Sequence, residues 1–133
     1  MVGAMRGRRR HSERGAIGIE FMLILSMLIV VFLVMLQYAV RAHAHRIVTA
    51  AAEEGLAAAA AYDGSANEGR RTAQRYVADL GPGVQNAVVT ASRSADMARV
   101  RVKGEIEEFV PFLTVEVSAE VEGPVERFVE EAP

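Results

Sequence analysis

The chain has 133 residues, room for one membrane helix and one small domain, and its formal net charge is −2. It contains no cysteine, which excludes a disulfide-stapled domain, thiolate metal sites and a cysteine nucleophile. The charge is unevenly placed: residues 1–15 carry five arginines against Glu13, a net +4, and taking that from the chain's −2 leaves −6 for the rest. From Gly104 to the end there are nine acidic residues and one basic residue, Arg127, so the folded part lacks the basic surface of a nucleic-acid module.

Residues 1–15 read as a disordered cytoplasmic leader, with Arg6, Arg8, Arg9, Arg10 and Arg14 and no apolar run. Positive charge beside a span holds that flank inside and favours anionic lipid headgroups. A twin-arginine export signal fits poorly, because Arg9-Arg10 is followed by His11-Ser12-Glu13 rather than apolar residues. Phe21 to Val40 is a run of 20 residues in which only Ser26 and Gln37 are polar. At about 1.5 Å per residue it covers about 30 Å, the thickness of the hydrocarbon layer. The inner flank has five arginines and the outer flank, Arg41 to Arg46, has two, so the amino terminus is expected in the cytoplasm and the rest outside. The competing reading is a secretory signal peptide cut after Ala42-His43-Ala44, giving a product that begins at His45. Signal-peptide apolar regions usually run about 7–15 residues, and this one is longer and ends in an arginine.

Ala42 to Tyr62 continues as helix, rich in alanine and free of proline, and Asp63-Gly64 ends it. Small residues recur at helical spacing at Ala44, Ala51, Gly55, Ala58 and Ala59, with Val48 and Tyr62 on a similar side. Such a stripe admits another helix at close range. The other use of it is packing against the protein's own soluble domain, and both readings stay open at this point. Ser65-Ala66-Asn67-Glu68 has the form of a capping box and starts a short helix to Leu80, with Ala73, Tyr76, Val77 and Leu80 on its apolar face. Gly81-Pro82-Gly83 stops it.

The period then changes to two. Val84 to Ser92, Arg99 to Ile106 and Leu113 to Glu122 are the strand candidates. Val100, Val102 and Ile106 share one side of the second, opposite Arg99, Arg101, Lys103 and Glu105. Val115, Val117, Ala119 and Val121 share one side of the third, opposite Glu116, Glu120 and Glu122. Antiparallel pairing of these two strands would set basic against acidic side chains. Glu107 to Phe112 supplies the turn between them, Gly123-Pro124 ends the sheet, and Val125 to Pro133 is expected to be loosely ordered.

The expected fold is therefore α+β: a long N-terminal transmembrane helix as spine, a short helix, and a small antiparallel sheet of about three strands. In segments, this is a leader (1–15), the membrane helix and its extension (16–63, span about 21–40), a small extracytoplasmic domain (64–124) and an acidic tail (125–133). His43 and His45 are two apart and point in different directions on a helix, so they cannot share a metal. No base–nucleophile spacing or phosphate-cradling glycine loop is present, and Glu105, Glu107 and Glu108 read as a solvated face and turn. Neither an enzyme, a cofactor, a metal nor a small-molecule substrate is expected.

Between leader and span lies Arg14-Gly15-Ala16-Ile17-Gly18-Ile19-Glu20-Phe21. A carboxylate at the threshold of a membrane is costly unless paired or neutralised, so Glu20 is a functional candidate. Counting Ala16 as +1 puts Glu20 at +5, after a basic leader and before an unbroken apolar helix. This arrangement resembles type IV prepilins, and the form Arg-Gly-x-x-x-x-Glu-Phe resembles the TadE-like minor pilins (pseudopilins) of Tad/Flp-type tight-adherence pili. The resemblance covers the leader, span and helical continuation; beyond residue 64 it rests on the general helix-then-strands layout. Ser26 stands where members of the family commonly have a proline, which removes the ground for expecting a kinked helix and leaves the processing motif intact.

The resemblance implies a precursor cut by a membrane prepilin peptidase between Gly15 and Ala16, inserted in membrane lipid and packed against other pilin-like subunits through its N-terminal helix. Glycine at the cut leaves the backbone free of a Cβ where the peptidase must approach. Gly18 as the cut site would put Glu20 at +2 and break the register. After cleavage the Ala16 amine and the Glu20 carboxylate are one helical turn apart and can interact within one subunit. The resemblance further implies that Glu20 neutralises the amine of a neighbouring subunit; the plainer reading is a carboxylate that snorkels to water or caps the helix. Phe21 serves packing or recognition by the peptidase. The alternative function is a membrane-tethered or secreted extracellular binding module whose acidic sheet recognises a ligand.

Overall fold

A computed structural model of the chain describes residues 7–106 and 115–128. It is α+β, with elements in the order α1 (Gly7–Ala60), α2 (Ala66–Leu80), β1 (Val84–Arg93), β2 (Met97–Ile106) and β3 (Val115–Pro124). The predicted turn from Glu107 to Phe112, and the predicted strand start at Leu113, lie outside the described residues. The structure forms two compact units that divide between Leu36 and Gln37, inside α1. The helical extension after the apolar run therefore belongs with the α+β unit.

In the first unit, α1 starts at Gly7, so residues 7–15 of the leader are helical rather than disordered. The reason is cooperative. A helix already nucleated by the following residues extends at the cost of one residue at a time, and arginine is a good helix former. From Ile17 to Leu36 the large apolar side chains are exposed all round the helix, among them Phe21, Leu23, Met27, Phe32 and Met35. A helix apolar on every side has no water-facing face to offer. By length and composition this one is able to cross a membrane. Ser26 sits within it, its hydroxyl donating to the Met22 carbonyl at 2.7 Å, so this hydroxyl is satisfied inside the helix.

In the second unit the three strands form an antiparallel meander, β1-β2-β3. β2 pairs with β3 without interruption from Met97 opposite Pro124 to Ile106 opposite Val115. β1 carries a bulge between Gln85 and Val88, where Asn86 takes a positive φ of 50°. Asparagine is among the few side chains that enter this region readily. Val100, Val102 and Ile106 are buried on the inner face of β2, as their alternation predicts, together with Val89 and Val117.

The inner face is closed by both helices. From α1 come Ala44, Val48, Ala51, Ala52, Ala59 and Ala60, and from α2 Ala73 and Val77. The expected apolar face of α2 is corrected at its two ends. Gly69 is buried at the start, whereas Leu80 is 55% exposed because the buried contact of the last turn is made by Gly81, close to Ile47. Ser65 caps α2, its hydroxyl accepting from the Glu68 amide at 3.1 Å.

The outer face of β2 and β3 is a charge ladder. Arg99 meets Glu122 at 2.6 Å, Arg101 lies 3.7 Å from Glu120, and Lys103 reaches Glu116 at 3.2 Å. Glu105 lies directly opposite Glu116, a like-charge pair, and each has separate relief: Asn86 donates to Glu105 at 3.0 Å and Lys103 attends Glu116. The hydrogen bond to Glu122, then the charges of Glu122 and Glu120, raise the Arg99 pKa above its ordinary value against a small opposing desolvation. A raised base contributes its stabilisation below its ordinary pKa and loses it only as pH climbs through the raised one, so Arg99 stays charged throughout the physiological range.

α1 ends at Ala60, earlier than Asp63-Gly64, and its last carbonyls find partners far away in sequence. Arg93, at the end of β1, donates to the Ala59 carbonyl and, at 2.7 Å, to that of Ala61. The Glu126 amide donates to the Ala60 carbonyl at 2.8 Å. These three bonds satisfy acceptors that every helix end leaves open. They also correct the expectation of a loose tail over its first four residues, because Val125 to Phe128 is tied down; residues 129–133 lie outside the described residues. The Val125 amide donates to the Asp96 carbonyl at 2.9 Å, Arg127 pairs with Asp96, and the Phe128 ring lies edge-on to Tyr62 with centroids 6.2 Å apart.

Candidate processing and packing sites

The candidate processing motif lies wholly on α1 within the first unit. Gly15, Ala16, Glu20 and Phe21 are all exposed helical residues. Ala16 and Glu20 are separated by four residues, which stacks them on one face of the helix about 6 Å apart along its axis. Glu20 makes no hydrogen bond or ion pair among the described residues. Its exposed oxygens are open to a second molecule. A Cβ built at Gly15 or at Gly18 would meet nothing within 4 Å. Neither glycine is required by packing inside the chain.

The small-residue stripe has a different surrounding. Ala44 is 4% exposed, Ala51 is fully buried and Gly55 is buried, all in the core of the second unit, while Ala58 is half-buried at its margin. A Cβ on Gly55 would lie 2.8 Å from the Gly69 carbonyl oxygen and 2.9 Å from the Ala73 Cβ. A Cβ on Gly69 would lie 2.6 Å from the Ala59 Cβ and 2.7 Å from the Gly55 carbonyl oxygen. Two small-xxx-small pairs, Gly55 with Ala59 and Gly69 with Ala73, thus interlock where α1 meets α2. Of the two uses open for the stripe, packing on the protein's own domain accounts for Ala44, Ala51 and Gly55.

Gly69 was not singled out by the sequence reading, although its spacing to Ala73 repeats that of Gly55 to Ala59. Arg93 had no local signal at all, since its partners are 34 and 32 residues away. His43 and His45 are both exposed on α1, and among the described residues no three histidine, aspartate or glutamate side chains converge. The depressions on the second unit are shallow surface features, the larger of them about 470 Å³ and lined by Ser92, Arg93, Met97, Arg99 and Glu122. Against known proteins, no family model, no curated protein and no solved structure matches this chain.

Proposed function

We propose that this chain is a prepilin-like minor pilin (pseudopilin) resembling the TadE-like group, cut by a prepilin peptidase after Gly15 and used as a structural, non-catalytic subunit in assembling a Tad-type pilus. The observation that carries the reading is the register of Arg14-Gly15 and Glu20-Phe21 at the head of a helix whose apolar residues are exposed on all sides. A lipid-facing helix has no need of a carboxylate at that height, whereas a bundle of such helices gives it a partner in each neighbour's new amine. At low dielectric that pair is favourable relative to two unpaired charges. The amino terminus would be cytoplasmic, the α+β unit outside, and the mature subunit held in membrane lipid or in a surface fibre.

The second reading, a secreted or tethered binding module released after Ala44, meets a specific objection. Ala44 is in the hydrophobic core, and a product beginning at His45 would lose it together with Val40, which packs against that core. The uncut, tethered form of that reading has no such objection.

The test is the amino-terminal residue of the mature protein, read by intact mass and terminal sequencing in cells with and without a prepilin peptidase. A chain starting at Ala16 only when the peptidase is present is the expected result. A start at His45, or an uncut chain in both strains, would overturn the proposal.

A further inference from the structure

The Gly15–Ala16 bond lies inside a continuous helix, eight residues after it begins at Gly7 and well before it ends at Ala60. In that conformation the Gly15 carbonyl accepts from the Ile19 amide and the Ala16 amide donates to the Ser12 carbonyl. A peptide bond is hydrolysed when water adds to its carbonyl carbon and the C–N bond breaks, here leaving a carboxylate on Gly15 and an amine on Ala16. Both atoms of the bond must be reached, and a helix occupies both with its own hydrogen bonds. The chain must open locally before it can be cut.

Two glycines fall within one turn of the bond, Gly15 itself and Gly18. Neither has a neighbour that a Cβ would touch, and neither adopts a backbone conformation that other residues avoid. Packing and turn geometry, the usual reasons for a glycine, are both absent here. Within the chain, and for Gly18, which is not at the cut, what remains is the effect of glycine on the helix, which it weakens relative to alanine. From these observations, and resting on the prepilin reading above, we infer that Gly18 is a positioning residue for processing: it loosens α1 around the Gly15–Ala16 bond so that this turn can open into extended chain in the peptidase. It acts through the helix and does not touch the reacting atoms.

The experiment follows processing of the full-length chain in membranes by pulse–chase in the presence of a prepilin peptidase, comparing wild type, Gly18→Ala and the double variant Ser12→Gly with Gly18→Ala. Alanine at 18 creates no clash, so the variant folds and inserts as the wild type does. It is expected to be cut about fivefold more slowly, the factor of one glycine-to-alanine exchange in a helix interior. Ser12→Gly lies in the leader, leaves the product unchanged and weakens the same turn from its other side, so the double variant should return to within about twofold of wild type on the same scale. Equal rates for wild type and Gly18→Ala would overturn the inference. Slow cutting without rescue by Ser12→Gly would also overturn it, since that result marks direct recognition of Gly18 by the enzyme. Failure of the wild type itself to yield a chain starting at Ala16 would instead remove the prepilin reading on which the inference rests.

Discussion

Glu20 and Gly55 illustrate two kinds of residue that one helix can carry. Glu20 makes no hydrogen bond or ion pair among the described residues and is exposed amid apolar side chains, so the fold by itself gives the carboxylate no partner. Replacing it with alanine should leave membrane insertion intact, because an apolar run is only lengthened. The same change should sharply reduce the amount of the protein recovered in sheared surface fibres, and normal recovery would count against a pairing role for the carboxylate. Gly55 is the reverse case, surrounded by Gly69, Ala73 and Val100 of its own chain. Gly55→Ala adds one methyl group against a carbonyl oxygen at 2.8 Å. Overpacking of this kind costs about 1–3 kcal/mol, to be seen as a lowered unfolding midpoint of the detergent-solubilised protein. An unchanged midpoint would mean that α1 and α2 separate at little cost.

At the level of elements, the parts that local chemistry controls were legible in the sequence. The alternation in β2 and β3 gave both their burial and their pairing of basic with acidic faces, and Ser65 announced the start of α2. The parts set by distant neighbours were not legible. Nothing near Arg93 or Glu126 in sequence says that their donors will close the end of α1, because that depends on where the β1–β2 turn and the exit of β3 come to lie. The helical state of residues 7–15 was missed for a related reason: composition alone reads as disorder, while the helix that follows removes the nucleation cost. The proposed processing motif rests on resemblance, whereas the helical conformation of Gly15, placed by the sequence in a disordered leader, was not legible. The charge ladder adds little to stability despite its regularity. Lys103 and Glu116 are each about half exposed, and such pairs contribute about 0.2–1 kcal/mol.

For the molecule as a whole, one helix carries two kinds of surface, and its residues change character between Leu36 and Ala44, from exposed apolar side chains to small buried ones. If the first unit is in the bilayer, the chain should stay with membranes through an alkaline carbonate wash. A protease added outside intact cells stripped of their outer barrier should reach the α+β unit but spare a tag at the amino terminus. Protection of the α+β unit would invert the expected orientation. The glycines described above carry a consequence for how such a sequence can drift over generations. Gly55 and Gly69 are confined by atoms of the same chain, so variants there are disfavoured by lost stability, whatever the cell around them. Gly15 and Gly18 have room for a Cβ and no packing reason within the chain to persist. If the proposed processing holds, a library covering all four positions, sorted once for folded protein and once for the mature amino terminus, should divide them into two pairs, the second retained only in the second sort.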